Sequence, residues 1–126
     1  MKKKILIVDD DPTSLRTLGG VLVTRGFEVK SANHAQDIEK DVTEFNPDLI
    51  VMDLVMPKVD GSQAVKRLQT NPVFKKIPIV FLTAINIKDD QGLEFEVSVE
   101  DKRYRTLTKP FNAQTLIAEI ESLVKN

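Results

Sequence analysis

The chain has 126 residues, a length that fits one domain with a single hydrophobic core. Its 18 basic and 19 acidic side chains leave a formal charge of -1, which argues against the basic surface that nucleic-acid binding usually requires. There is no cysteine for a disulfide or a thiolate metal site, and no apolar stretch is long enough to span a bilayer.

The basic start at residues 1–4 resembles the beginning of a secretory signal peptide, but only four apolar residues follow it before three aspartates. That pattern argues against a secretory leader. We therefore expect a single cytoplasmic domain over residues 1–126, without membrane contact and without direct nucleic-acid contact.

The first elements alternate between strand and helix. Residues 5–8 are a continuous apolar run, which is typical of a strand buried on both faces. A helix is predicted from Pro12 to just before Gly26, because proline suits a first helical turn and glycine a C-terminal cap. Residues 27–31 have a weaker strand pattern, and a second helix is predicted over residues 35–45.

The alternation continues in the second half of the chain. Apolar runs at residues 49–52 and 79–82 predict two more buried strands, and residues 62–68 between them predict a helix. The last helix is predicted over residues 113–124, with an apolar face formed by Leu116, Ile117, Ile120 and Leu123.

Strands that alternate with helices imply right-handed crossovers and a parallel sheet covered by helices on both faces. We therefore predict an α/β fold with a doubly wound, five-stranded parallel sheet of flavodoxin-like order 2-1-3-4-5.

One segment departs from this alternation. Where the fold requires a fourth helix, residues 93–99, "LEFEVSV", alternate strictly between apolar and polar side chains. A helix would scatter these apolar side chains around its circumference, so we predict an extended segment. It would turn through residues 100–102 and pair with residues 104–108 as a hairpin; a distorted helix is the alternative.

Polar side chains follow the predicted strands. They are Asp9 and Asp10 after the first strand, Asp53 after the third, Thr83 after the fourth, and Lys109 after the last. Because ligands bind open α/β sheets outside the carboxyl ends of the strands, we expect these side chains to converge at one edge.

Clustered carboxylates raise one another's pKa values, so a cation is implied. Oxygen ligands favour Mg²⁺, which takes one or two carboxylates and keeps waters and phosphate oxygens. We predict that Asp53 is a carboxylate nucleophile for phosphorus and that Asp10 and Asp53 hold Mg²⁺. Lys109 and Thr83 would then stabilise the phosphoryl oxygens.

Each residue also has an ordinary explanation. An aspartate after a strand usually lies in solvent or caps a helix, and Asp9 and Asp10 could favour the first helical turn through its dipole. Thr83 and Lys109 could be routine strand and surface residues. His34, the only histidine, and Asp11 are expected to be solvated. The joint placement of the others at four strand ends is what favours a site.

Four stretches make the chain resemble the receiver domains of two-component response regulators over nearly its full length. They are "ILIVDDDP", "DLIVMDLVMPKVDG", "IPIVFLTA" and "LTKPF". The resemblance implies that Asp53 accepts phosphate from a histidine kinase or a phosphotransfer protein. The chain would be a signalling switch rather than an enzyme, assisting only its own phosphoryl transfer and dephosphorylation, and would change a surface for a downstream protein target.

The resemblance also implies individual roles. They are the switch hydroxyl for Thr83, the phosphate-binding lysine for Lys109, Mg²⁺ contacts by Asp10, Asp53 and the backbone carbonyl of Val55, a contact through water by Asp9, and a cis Lys109-Pro110 bond.

Two features depart from the family pattern. Thr106 stands three residues before Lys109, where relatives usually carry an aromatic side chain that turns inward on activation; Tyr104 lies two residues earlier on the same face. The connection from Thr83 to Lys109 is also longer than usual, which implies an unusual partner. These departures keep open a receiver-like protein-binding module that is not phosphorylated.

Other classes fit less well. In a flavodoxin-like electron carrier, residues 9–11 would repel the flavin phosphate. A phosphatase of the aspartate-nucleophile type needs a second aspartate at position 55, where Val55 stands. Val55 and Ile85 are apolar and flank the predicted site, so we expect them to hinder the attacking water and to lengthen the lifetime of a phosphoryl group.

Overall fold

The computed structural model describes residues 2–84 and 94–124, and for residues 94 and 95 it describes the backbone alone. The strands are β1 (Lys4–Val8), β2 (Glu28–Ala32), β3 (Leu49–Met52), β4 (Ile79–Thr83), β5 (Glu94–Val99) and β6 (Lys102–Thr108). The helices are α1 (Pro12–Thr24), α2 (Ile38–Phe45), α3 (Gly61–Gln69) and α4 (Ala113–Val124), with a short 3₁₀ helix at Phe74–Lys76.

The described strands form one sheet in the order β2-β1-β3-β4-β6-β5. The first five in this order are parallel, which confirms the doubly wound α/β prediction with β6 as the fifth parallel strand. The five predicted parallel strands are all present, and the sixth strand, β5, is the segment predicted to be extended; it lies antiparallel to β6 at the edge of the sheet.

The hairpin prediction is confirmed, and the helical alternative is wrong for the described part of the segment. Val97 pairs with Tyr104, and Val99 pairs with Lys102 across a turn in which Glu100 has a φ of 56°. Lys102 therefore begins β6 instead of belonging to the turn. Leu93, the first residue of the predicted extended segment, lies outside the described residues.

The core lies in two layers, one on each face of the sheet. Because successive strand residues point to opposite faces, Leu6 and Ile50 pack towards α2 and α3, whereas Ile5 and Leu49 pack towards α1 and α4. The apolar face of α4 is confirmed except at Leu123, whose side chain is 38% exposed near the end of the helix.

Local capping sets the helix starts. Asp11 caps α1 by accepting a hydrogen bond from the Thr13 amide, and Pro12 follows as the first helical residue. The second helix begins three residues later than predicted, because the chain makes a turn after Ala35 before Ile38.

Among the described residues, no helix is both long and apolar enough to cross a membrane.

Candidate functional site

Backbone hydrogen bonds continue the parallel pairing just past the ends of the strands. The Asp53 amide donates to the Val8 carbonyl oxygen over 2.9 Å, and the Lys109 amide donates to the Thr83 carbonyl oxygen over 2.7 Å. These bonds fix Asp53 beside the end of β1 and Lys109 beside the end of β4. The predicted convergence of strand ends is therefore present in the backbone itself.

The Lys109 side chain lies between two buried carboxylates. Its Nζ is 2.6 Å from Asp9 Oδ2 and 3.4 Å from Asp53 Oδ2. Asp9 and Asp53 are 4% and 6% exposed, so the three groups interact largely out of water. The ammonium is thus held more closely by Asp9 than by Asp53.

Backbone amides hold the other oxygen of each buried carboxylate. The Asp11 amide donates to Asp9 Oδ1 over 2.9 Å, and the Val55 amide donates to Asp53 Oδ1 over 3.2 Å. Both carboxylates are therefore fixed in rotation before any ligand arrives. Sequence reasoning missed these contacts, although the Asp11-Pro12-Thr13 pattern is a recognisable helix start.

Asp10 adds a third carboxylate that is exposed to solvent. One oxygen from each of Asp9, Asp10 and Asp53 lies within 4.8 Å of the others. An open pocket of about 350 Å³ lies here, and its lining includes Asp10, Asp53, Val55 and Lys109. Two buried carboxylates and one exposed carboxylate form an all-oxygen donor set, which suits Mg²⁺ with retained waters. The residues present therefore fit a magnesium ion.

Burial and neighbouring charges shift the pKa values of Asp53 and Lys109. Burial raises the pKa of Asp53 to about 6; the nearby Asp9 charge adds to this effect, while Lys109 and the Val55 amide oppose it. Burial alone would lower the pKa of Lys109, but its hydrogen bond to Asp9 and the charges of Asp53 and Asp9 raise it overall. Lys109 therefore stays protonated at neutral pH.

The loop after Asp53 returns to it at the start of α3. The Gly61 amide donates to the Leu54 carbonyl oxygen over 2.9 Å, and a Cβ placed on Gly61 would lie 2.3 Å from the Asp53 carbonyl oxygen. Only glycine permits this approach. Gly61 and its cap Asp60 therefore begin the helix, and the predicted start at residue 62 was one residue late.

The other candidate residues have clear places. Thr83 is fully buried at the same sheet edge and pairs with Thr108, and the Lys109-Pro110 bond is cis. Thr106 is also fully buried, beside Phe81 on β4. The Val55 side chain is 64% exposed at the pocket, whereas Ile85 lies outside the described residues.

The two residues expected to be solvated, His34 and Asp11, are both exposed. Asp11 nevertheless has a structural role as the cap of α1, where its side chain also accepts a hydrogen bond from Ser14. The thirteen residues of that helix therefore start from a fixed point beside the pocket.

Known proteins resemble this chain in sequence and in fold. The chain is 32% identical over 125 residues to the alkaline phosphatase synthesis transcriptional regulatory protein PhoP of Bacillus subtilis, a match covering 99% of this chain and 50% of that protein. The chain spans about half the length of the curated relatives it matches.

Among solved structures, the chemotaxis response regulator CheY4 of Vibrio cholerae is similar with a TM-score of 0.79 and 26% identity, covering 98% of this chain and 99% of that one. The receiver domain of the sensor histidine kinase PA1611 from Pseudomonas aeruginosa PAO1 shares the fold, with a TM-score of 0.81 and 22% identity over 100% of both chains. That structure has a magnesium ion coordinated in its active-site cleft.

Receiver domains are signalling domains that bind Mg²⁺ at an acidic pocket and interact with histidine kinases or phosphotransfer proteins. The profile of the response regulator receiver domain matches residues 5–121. This chain therefore belongs to the receiver domain family of two-component response regulators.

Proposed function

We propose that the chain is a single receiver domain acting as a phosphorylation-dependent switch in a two-component phosphorelay, with Asp53 as the phosphoacceptor. The observation that carries the proposal is the position of the Lys109 ammonium between the buried carboxylates of Asp9 and Asp53. A cation fixed at this point lies where charge must be neutralised when an anionic phosphoryl group approaches Asp53.

In the proposed transfer, an Asp53 carboxylate oxygen forms a bond to phosphorus while the phosphorus–nitrogen bond of a phosphohistidine breaks. The electron pair of the broken bond stays on the imidazole nitrogen, which takes up a proton. The Val55 amide holds Asp53 Oδ1, and Lys109 lies beside Oδ2, so the carboxylate meets the donor in one orientation. The donor is a histidine kinase or a phosphotransfer protein.

Asp10, Asp53 and the backbone carbonyl of Val55 would hold Mg²⁺, with Asp9 in contact through a water molecule. The ion, when bound, neutralises charge on the phosphoryl oxygens. This assignment is supported by the carboxylate cluster, in which Asp10 alone is exposed and thus open to a hydrated ion.

The response to phosphorylation would be a change of protein-binding surface for a downstream target. A dianionic phosphoryl group on Asp53 offers new acceptors to the Thr83 hydroxyl and to Lys109. Such contacts exist in the phosphorylated state alone, so they shift the equilibrium between two conformations of the domain.

The test is incubation with acetyl phosphate and Mg²⁺, followed by intact-mass measurement and amide NMR spectra with beryllium fluoride as the phosphoryl mimic. We expect one added phosphoryl group and shifted pocket amides in the natural sequence and in Asp37→Asn, an exposed control carboxylate. Neither change should occur in Asp53→Asn. Identical masses and spectra with and without the donor would overturn the proposal and favour the binding module that is not phosphorylated.

A further inference from the structure

The N-terminal end of α3 lies against the proposed phosphorylation site. Gly61 approaches the Asp53 carbonyl oxygen so closely that no side chain fits between them, and its amide bonds to the Leu54 carbonyl oxygen. Any movement of the backbone around Asp53 must therefore be met by a movement of this helix end, since the contact is backbone against backbone.

The other end of α3 is bonded to the β5–β6 hairpin. The Gln69 side chain donates from Nε2 to the Tyr104 hydroxyl oxygen over 2.7 Å and to the Val99 carbonyl oxygen over 3.2 Å. We call these two hydrogen bonds of Gln69 the α3–hairpin seam. A salt bridge of 3.1 Å between Lys66 and Glu100 runs beside the seam, but both side chains are more than half exposed, so it contributes little.

Between its ends, α3 is short and firmly packed. Asp60 and Gln63 form a reciprocal capping box at its start, and Ala64, Val65 and Leu68 are buried against the sheet. Nine helical residues span about 13 Å at 1.5 Å per residue. A helix of this length, capped at its start and packed along one face, moves as a rigid body.

The seam also holds the aromatic ring that faces the core from β6. Tyr104 is 4% exposed, its ring meets Phe81 edge-on at a centroid distance of 5.6 Å, and its hydroxyl is bound by Gln69. Thr106, where relatives usually carry the mobile aromatic side chain, is a small and fully buried residue. Position 106 therefore has no aromatic ring that could turn inward on activation.

We infer that α3, rather than a rotating aromatic side chain at position 106, transmits the state of Asp53 to the β5–β6 hairpin through the two hydrogen bonds of Gln69. The inference rests on the proposed phosphorylation of Asp53. It assigns the hairpin as the surface whose conformation responds, and it gives Gln69 the role of coupling two sites that lie at opposite ends of one helix.

The chain offers a direct reporter for this coupling. Tyr104 is the only tyrosine and there is no tryptophan, so intrinsic fluorescence excited in the tyrosine band reports the seam. Beryllium fluoride with Mg²⁺ is added to the natural sequence, Gln69→Ala and the control Thr70→Ala. Thr70 directly follows Gln69 at the end of α3, and its hydroxyl donates a hydrogen bond to the Arg67 carbonyl oxygen and not to the hairpin. Fluorine NMR measures binding of the mimic independently.

We expect all three proteins to bind the mimic. The fluorescence of Tyr104 should change in the natural sequence and in Thr70→Ala, and the change in Gln69→Ala should fall below half of the natural value. Tyr104→Phe, which keeps the ring against Phe81, should likewise lose most of the shift of the hairpin amides at residues 98–103. Thermal unfolding of each variant checks that the fold is retained.

Two results overturn the inference while leaving the proposed function in place. One is binding of the mimic with no fluorescence change in the natural sequence. The other is an undiminished response in Gln69→Ala and Tyr104→Phe, which would assign the coupling to the β4–β6 strand pair. Absence of bound mimic in the natural sequence would instead overturn the proposed function, and this inference with it.

Discussion

Replacing Asp53 by asparagine removes a charge that folding buries. The folded Asp53 carboxyl has a pKa of about 6, whereas an unfolded chain has an ordinary value of 3.8. Between these pH values the folded protein binds more protons than the unfolded chain. The stability that comes from the protonated form is fully present below pH 3.8 and is lost as the pH rises through about 6.

The size of the effect follows from the same two values. At about 1.4 kcal/mol for each tenfold change in proton affinity, the difference between 3.8 and about 6 corresponds to about 3 kcal/mol lost above pH 6. Asparagine has no charge to bury, so Asp53→Asn should raise the free energy of unfolding at pH 7.5 by up to about 3 kcal/mol. Lys109 keeps its partner in the variant, because Asp9 lies 2.6 Å from it.

Urea unfolding at pH 5 and at pH 7.5, with a chelator present, measures this difference. The natural sequence should lose stability between the two pH values, and the loss should be clearly smaller in Asp53→Asn. Asp37→Asn, at an exposed position, is the control and should follow the natural sequence. Adding Mg²⁺ should then stabilise the natural sequence more than Asp53→Asn, because the ion binds the folded pocket. If Asp53→Asn is less stable at pH 7.5, or if both proteins show the same pH slope, the pairing with Lys109 outweighs burial and the reasoning is refuted.

Four further substitutions test other parts of the structure. Gly20→Ala should raise the free energy of unfolding by about 1 kcal/mol, since glycine in a helix interior is costly and the added Cβ meets nothing within 4 Å. An added Cβ at Gly26 also has open space, but the φ of Gly26 is 91°, so Gly26→Ala should lower the free energy of unfolding by about 1 kcal/mol. If Gly20→Ala and Gly26→Ala changed the free energy of unfolding in urea by the same amount, both expectations would be contradicted. Gly61→Ala places a Cβ 2.3 Å from the Asp53 carbonyl oxygen, so it should cost about 1–3 kcal/mol and weaken beryllium fluoride binding; unchanged values would show that the close approach relaxes freely. Val55→Asn replaces an exposed apolar side chain at the pocket with one that can orient water, so the phosphoryl group should be lost faster in a mass-spectrometric time course; an unchanged rate would remove Val55 as a barrier to water.

Much of the fold was readable from local patterns. The three central parallel strands, β1, β3 and β4, are built on continuous apolar runs, and the strict alternation before Glu100 indicated a strand where the usual fold has a helix. The strand ends then placed Asp53 and Lys109 at the same edge, because parallel strands share one direction.

The details that no local pattern contains concern side chains that are distant in sequence. Gln69 at the end of a helix is typical of a solvated position, yet it bonds to Tyr104, which lies 35 residues further along the chain. The closer contact of Lys109 with Asp9 than with Asp53 depends on how two loops pack, and so does the burial that raises the pKa of Asp53. Periodicity predicts which face a residue occupies, but not which polar atom it meets.

The pocket formed by Asp9, Asp10, Asp53 and Lys109 has a simple consequence for electroneutrality. Three carboxylates and one ammonium give three negative charges and one positive charge, a formal total of -2, which one divalent cation balances. Converting the Asp53 carboxylate into an acyl phosphate dianion would add about one further negative charge. The pocket with its cation would be formally neutral before phosphorylation and negatively charged after it. The two states would then differ in their response to salt, because ions in solution screen the surplus charge of the phosphorylated pocket but have little to screen in the neutral one. Ionic strength would therefore act as a second control on the equilibrium between the two forms of the domain.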